Sequence, residues 1–118
     1  MRPILKILYK IMTQAQWSNA KAHGVFAGSD IDVKDGFIHL SAAHQVRATA
    51  AKHFSNQRDL VLLFIEEEKL SAGLKWEVSR GDDLFPHYYG QLPINSIMKV
   101  VDLPLLDGAH HFLEDLPQ

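Results

Sequence analysis

Leu5 to Met12 is rich in Ile and Leu and carries Tyr9 and two lysines, which predicts a β-strand with one wetter face. Thr13 follows as a cap for a short helix through Trp17 and Ala22, which Gly24 would end. From Gly28-Ser29-Asp30 to Lys34-Asp35-Gly36 the chain is dense in turn formers and reads as a loop. Phe37-Ile38-His39-Leu40 is a short strand that runs into Ser41, whose hydroxyl is placed to cap a second helix. Ala43, Val46, Ala50 and Phe54 recur at three- and four-residue spacing and give that helix an apolar stripe. Its alanines favour helix and permit close packing on a sheet.

Leu60 to Ile65 is apolar without alternation, the pattern of a central strand covered on both faces. Glu66 to Leu70 is a polar turn or a single helical turn, and Leu74 to Val78 and Ile97 to Val101 are further strands. Arg80-Gly81-Asp82-Asp83 reads as a turn, and Pro86 and Gly90 keep the aromatic segment Phe85 to Gly90 out of a long helix. Residues 104–118 read as a loose tail. Strands and helices do not alternate regularly enough for a doubly wound fold. The pattern therefore predicts one α+β domain over residues 1–118, with a mixed or antiparallel sheet split into two halves and the Ala42–Phe54 helix on one of them.

Composition narrows the function classes. With 118 residues the chain supports one core, and two catalytic domains are excluded. Lys and Arg number 12 against 14 Asp and Glu, a formal charge of −2, which gives no bulk-charge signal for nucleic acid. There is no cysteine, which removes disulfides, thiolate metal sites and cysteine nucleophiles. No apolar run approaches the ~20 residues of a membrane-spanning helix. Lys6 and Lys10 interrupt what would be the apolar core of a signal peptide, so the expectation is a cytoplasmic protein with no membrane partner.

The seven histidines are the compositional feature that points to chemistry. His44 and His53 lie on one helix about two and a half turns apart and face different directions. No pair of histidines is spaced four apart, and no facial set of two histidines and a carboxylate occurs, so no metal is expected. His39 shares a strand face with Phe37, whereas Ile38 and Leu40 take the core face. With Ser41 and a helix start beside it, His39 is placed to hold a phosphate or ribose, the other reading being a histidine bonded inside the fold. Trp76 and Glu77 alternate across a strand. Glu77 reads either as a general base or ribose anchor or as a carboxylate paired with a cation such as Arg80. Phe85-Pro86-His87-Tyr88-Tyr89-Gly90 offers an aromatic plate and a histidine donor, or else a cluster packing a loop onto the sheet.

Taken together, Leu8-Tyr9-Lys10-Ile11, Trp17, Asp35 to Ser41, Gln45-Val46, Asp59 to Leu63, Leu74 to Glu77 and Leu84 to Gly90 resemble the small bacterial domain-of-unknown-function family 952, over about residues 7–103. Phe37 to Ser41, the alanine-rich helix, Leu60 to Leu63 and Ser79-Arg80-Gly81 further resemble the catalytic half of RNA 2′-phosphotransferases. That likeness implies an ADP-ribosyltransferase-like fold that binds NAD between two small sheets, with His39 and Ser41 as the site histidine and serine. The sequence departs from it in two places. Leu8-Tyr9-Lys10-Ile11 stands where those enzymes carry an Arg-His pair, and Arg80-Gly81-Asp82-Asp83 replaces an Asn-Gly step.

What the resemblance implies is a nucleotide-like small-molecule partner, with NAD as a substrate and no metal. His39, Glu77 and His87 are the catalytic candidates, and Tyr9, Lys10, Ser41, Trp76 and Tyr88 the ligand-binding candidates. Glu77 would offset charge developing at the ribose, Tyr9 or Tyr88 would stack on the ring, and Lys10 would meet a phosphate. The alternative is a non-catalytic ligand- or protein-binding module on the same fold.

Overall fold

In the computed structural model the first apolar run forms strand β1 (Ile7–Thr13), and residues 6–70, 72–112, 116 and 117 are described. Leu5, expected at the start of β1, lies outside those residues. Thr13 caps helix α1 (Gln14–His23): its Oγ1 accepts the Gln16 amide at 3.0 Å, and Gln16 Oε1 accepts the Thr13 amide at 2.9 Å. Gly24 ends α1 in the left-handed region, as expected. Strand β2 (Val25–Phe26) leads to helix α2 (Asp30–Asp35), strand β3 (Ile38–His39) and helix α3 (Ala43–His53).

Strand β4 (Leu60–Glu66) follows, then β5 (Leu74–Val78), β6 (Leu84–Tyr88), β7 (Leu92–Pro93) and β8 (Ile97–Leu103). A single 3-10 turn, Glu67–Leu70, stands where a polar turn was expected. The aromatic segment is strand rather than loop: β6 is the middle strand of its sheet, and Pro86, which has no amide hydrogen, still accepts the Leu40 amide through its carbonyl at 3.0 Å.

Among the described residues strand pairing is antiparallel throughout, in two three-stranded sheets, β1-β4-β8 and β3-β6-β5, a short β2-β7 pair and a hairpin over residues 105–110. Two backbone hydrogen bonds between Tyr9 and Ser41 join the sheets: Tyr9 N donates to Ser41 O at 2.8 Å and Ser41 N to Tyr9 O at 2.9 Å. The first sheet is buried on both faces. Leu8 and Met12 with Val61, Leu63 and Ile65 face one core, shared with Ile38 and Leu40 of the second sheet. Ile7, Tyr9 and Ile11 with Leu60, Leu62 and Phe64 face the other, shared with Ala43, Val46 and Ala50 of α3. This double burial is why Leu60 to Ile65 has no polar alternation.

Three expectations are corrected. The stretch read as a loop holds α2, because Ser29 and Asp32 form a cap rather than a free turn. Ser41 does not cap α3: its backbone is spent on the bridge to Tyr9, so the helix begins one residue later, with Ala42 at the cap position and Gln45 Oε1 accepting the Ala42 amide at 2.9 Å. Residues 104–112 are not a loose tail. They form a hairpin of β9 (Leu105–Leu106) and β10 (Ala109–His110), and Phe112 packs against the α3 core. Residues 113–115 and 118 of that tail lie outside the described residues.

Candidate functional site

The site is built on α2. Asp32 is the third residue of that helix, where its Oδ2 accepts the Ser29 amide at 2.9 Å while Ser29 Oγ accepts the Asp32 amide at 3.3 Å. A carboxylate at a helix N-terminus is favoured by the unpaired amides there. Gly28 is required for this approach: its φ is +118°, and a Cβ on it would lie 3.0 Å from Asp32 Cβ. Gly36, at φ 86°, ends α2 and turns the chain into Phe37 and β3.

Asp32 is 2% exposed, and its two oxygens tie three elements together. Oδ1 accepts the His39 amide at 3.0 Å and lies 2.6 Å from His39 Nδ1. Oδ2 accepts Lys10 Nζ at 3.0 Å, and Lys10 also donates to His39 O at 2.9 Å. Burial on its own would raise the Asp32 carboxyl. The bond from His39, the Lys10 charge and the amides of Ser29 and His39 outweigh it and hold the group well below the usual carboxylate range. For Lys10 burial dominates and pushes the amine below its usual range, with Asp32 opposing.

The second ring nitrogen of His39, Nε2, lies 3.0 Å from Asp35 Oδ2, so both nitrogens face carboxylates. Opposite it in the β3–β6 register stands His87, with ring centroids 5.6 Å apart. Phe37 fills the space between the rings, stacked on His87 at 4.0 Å and tilted against His39 at 4.7 Å and Tyr89 at 5.4 Å. His87 Nδ1 lies 2.8 Å from Glu77 Oε1, which also accepts Tyr89 OH at 2.7 Å. The Tyr89 and His87 bonds draw the Glu77 carboxyl down, and the Glu77 bond raises the Tyr89 phenol. Two carboxylate–histidine pairs, Asp32–His39 and Glu77–His87, thus meet around one phenylalanine.

This cluster borders a cleft of about 750 Å³, lined by β1, α2 and α3 and by side chains that include Asp32, Asp35, His39, Ser41, His53 and His87. The volume lies within the ~300–1,000 Å³ range of small-molecule sites. Among the described residues no group of three or more His, Asp and Glu has the arrangement to hold a metal.

Of the residues singled out from sequence, His39 and His87 stand together at the cleft, and Glu77 reaches it only through His87. Ser41 lines it, with its hydroxyl 3.3 Å from Thr49 Oγ1. Tyr9 and Lys10 also line it, whereas Trp76 and Tyr88 do not. Tyr9 is fully buried, set edge-on to Phe64 with its hydroxyl donating to Pro117 O, so it cannot stack on a ligand. Burial pushes its phenol up to about 12. Lys10 is buried and committed to Asp32, so it is no phosphate anchor. Trp76 lies on the face of β5 opposite Glu77 and does not line the cleft. Tyr88 packs into the core beside Leu74, and Tyr89 is the tyrosine that joins the cluster, against Phe37 and Glu77. Asp32, Asp35, Phe37 and Tyr89 were missed. Tyr89 was within reach, since it shares the parity of His87.

The family described as "Protein of unknown function (DUF952)" matches residues 11–100. The chain belongs to that family. The match spans every residue of the cluster except Lys10. The crystal structure of protein CC0527 from Caulobacter crescentus is similar to the chain, with 49% identity over 89% of this chain and 93% of that one, and a TM-score of 0.86. A solution NMR structure of CC0527 is 48% identical over 88% of this chain and 90% of that one, with a TM-score of 0.78. No curated protein matches the chain. DUF952 membership and the two CC0527 structures fix the fold and leave the chemistry to be argued from the cleft.

Proposed function

We propose that the cleft binds an NAD- or ADP-ribose-type nucleotide, on an ADP-ribosyltransferase-like arrangement of two small sheets. The observation that carries this reading is the fixed presentation of His39. Asp32 and Asp35 hold both ring nitrogens at the rim of a cleft large enough for a nucleotide. A ribose hydroxyl or an amide that displaces Asp35 from Nε2 meets a ring that Asp32 still holds in place, so the ring loses little rotamer freedom on binding. Ser41 supplies a hydroxyl from the next residue but one.

Charge sets the orientation. Asp30, Asp32 and Asp35 line the cleft, and the one lysine lining it is already paired. This wall favours the cationic nicotinamide–ribose end of NAD and disfavours a pyrophosphate, which belongs toward the open side. Isothermal titration calorimetry with NAD and with ADP-ribose tests the proposal. Binding by at least one of them, weakened roughly 5- to 150-fold by His39→Ala through the loss of about 1–3 kcal/mol, is the expected result. Silence from both at millimolar concentration removes the nucleotide reading and leaves the binding-module alternative.

The partly exposed Asp35 carboxylate favours a second, catalytic reading. Cleavage of the nicotinamide–ribose bond leaves its electron pair on the departing neutral nicotinamide and positive charge on the ribose. An acceptor oxygen then adds to that carbon and gives up its proton. Asp35 is the carboxylate placed to face that charge, a role the sequence reading gave to Glu77. Asp35→Asn is expected to lower nicotinamide release, measured by chromatography, far more than it weakens NAD binding.

A further inference from the structure

We propose that the chain self-associates through the free edge of β5, pairing antiparallel with β5 of a second copy about a two-fold axis at Trp76. The basis is the edge itself. Among the described residues, β5 has a neighbour on one side only, in the order β3-β6-β5. Pairing with β6 is continued by Tyr89 N donating to Gly73 O at 2.8 Å and Ser79 N donating to Asp83 O at 3.0 Å. Residues 73 and 79 therefore turn their polar backbone groups toward β6, and by the alternation of an antiparallel ladder so do Lys75 and Glu77. Leu74, Trp76 and Val78 turn theirs outward. The register agrees, since Trp76 stands opposite Pro86, which has no amide hydrogen to give and whose carbonyl accepts the Leu40 amide on its far side.

The sequence of the edge selects its own copy as the occupant. Leu74-Lys75-Trp76-Glu77-Val78 is symmetric in character about Trp76. Antiparallel pairing centred there makes Trp76 a hydrogen-bonded pair with its counterpart and sets Leu74 opposite Val78. It also sets Lys75 of each copy opposite Glu77 of the other, in the closer non-hydrogen-bonded positions. A lysine on an edge strand ordinarily discourages strand addition. Here each Lys75, already near Glu77 of its own strand, gains Glu77 of the other copy when the incoming strand is the same strand in this register. The pairing also joins two exposed apolar faces, for Trp76 is 41% exposed, Val78 65% and Leu84 47%, all on one side of the hairpin. The result is a continuous six-stranded sheet, β3-β6-β5 followed by its two-fold mate. The paired Lys75–Glu77 charges lie on the side that carries His87.

Sedimentation of the intact chain across a concentration series tests this, with Trp76→Lys and Trp76→Glu as the variants. The wild type is expected to move from the 13.3 kDa chain mass toward twice that value as concentration rises. Each variant alone sets like charges opposite each other and is expected to raise the dimer dissociation constant at least about tenfold. Mixing the two in equal amounts is expected to restore association. Amide hydrogen exchange of the wild type gives a second readout: the Trp76 and Val78 amides gain protection at high concentration, whereas Lys75 and Glu77, already paired with β6, do not change. A monomer up to about 1 mM, the weak end of specific affinity, overturns the proposal. So does a dimer that both variants leave intact, or one that forms without protecting the Trp76 amide.

Discussion

Replacing Asp32 by Asn tests whether one carboxylate holds β1, α2 and β3 together. Its side chain and that of Lys10 are 1% and 8% exposed, and its two oxygens meet four donors: the Ser29 and His39 amides, Lys10 Nζ and His39 Nδ1. An asparagine keeps the volume but loses the charge, and its NH2 group faces donors instead of accepting from them. Removing one partner of a buried ion pair costs about 3–5 kcal/mol, because the other charge stays buried without compensation. Against a total of about 5–15 kcal/mol for a domain this is a large share, and it corresponds to a fall of roughly 10–20 °C in Tm. The double variant Lys10→Met/Asp32→Asn removes the orphaned ammonium and is expected to be more stable than Asp32→Asn alone.

Acid sharpens the test. The Asp32 carboxyl titrates below its ordinary 3.8 in the fold, so the native state binds fewer protons there than the unfolded chain. Its contribution is full above that ordinary value and is lost as pH falls through the depressed one, and the Asn variant lacks that slope. Urea unfolding of the three proteins from pH 7 downward measures all of this. A loss below about 1 kcal/mol for Asp32→Asn would refute the reasoning, as would a double variant no more stable than the single one.

Thr13→Ala removes the hydroxyl that caps α1 and is expected to cost about 1 kcal/mol in urea unfolding. Glu77→Gln weakens the hydrogen bond that, with burial and the carboxylate charge, raises the Tyr89 phenol, so the Tyr89 resonance, followed by NMR in ring-labelled protein, is expected to titrate lower in the variant than in the wild type. Gly73→Ala is expected to destabilise the β5–β6 hairpin, because the new Cβ would lie 2.7 Å from Tyr89 O, a backbone atom, and 2.9 Å from Tyr88 Cε1. Thermal melts read the effect as a lower Tm.

Where a residue's surroundings are set by its own element, its place was legible in the sequence. The unbroken Leu60 to Ile65 run marked the strand buried on both faces, and the alternation of Phe37 and His39 with Ile38 and Leu40 gave the face on which His39 stands. Thr13 and Gly24 bounded α1 because cap chemistry is local. What escaped is what depends on other elements. Ser29, Asp30 and Asp32 are turn formers and cap formers alike, and only the bonds from Lys10 and His39 show which role Asp32 takes. Ser41 had the right side chain for a cap, but its backbone was already claimed by Tyr9. Tyr9 and Lys10, in the motif that suggested ligand contact, do line the cleft, but their side chains are buried on opposite faces of the same sheet. Trp76 and Tyr88 lie on the face of their sheet opposite Glu77 and His87, so of each neighbouring pair it is the other member that turns toward the cluster.

In the proposed nucleotide cleft a ligand reaches His39 at Nε2, where it displaces Asp35. The most direct measurement is a long-range nitrogen–proton NMR spectrum of the histidine rings, with and without NAD and ADP-ribose. The account predicts that Nε2 of His39 shifts on addition of ligand, while Nδ1, closed off against Asp32 at 2.6 Å, moves far less. The ring nitrogens of His23, at the end of α1 and outside the cleft lining, stay unmoved. Unchanged His39 nitrogens alongside shifts elsewhere, or no shift at any histidine, would contradict it.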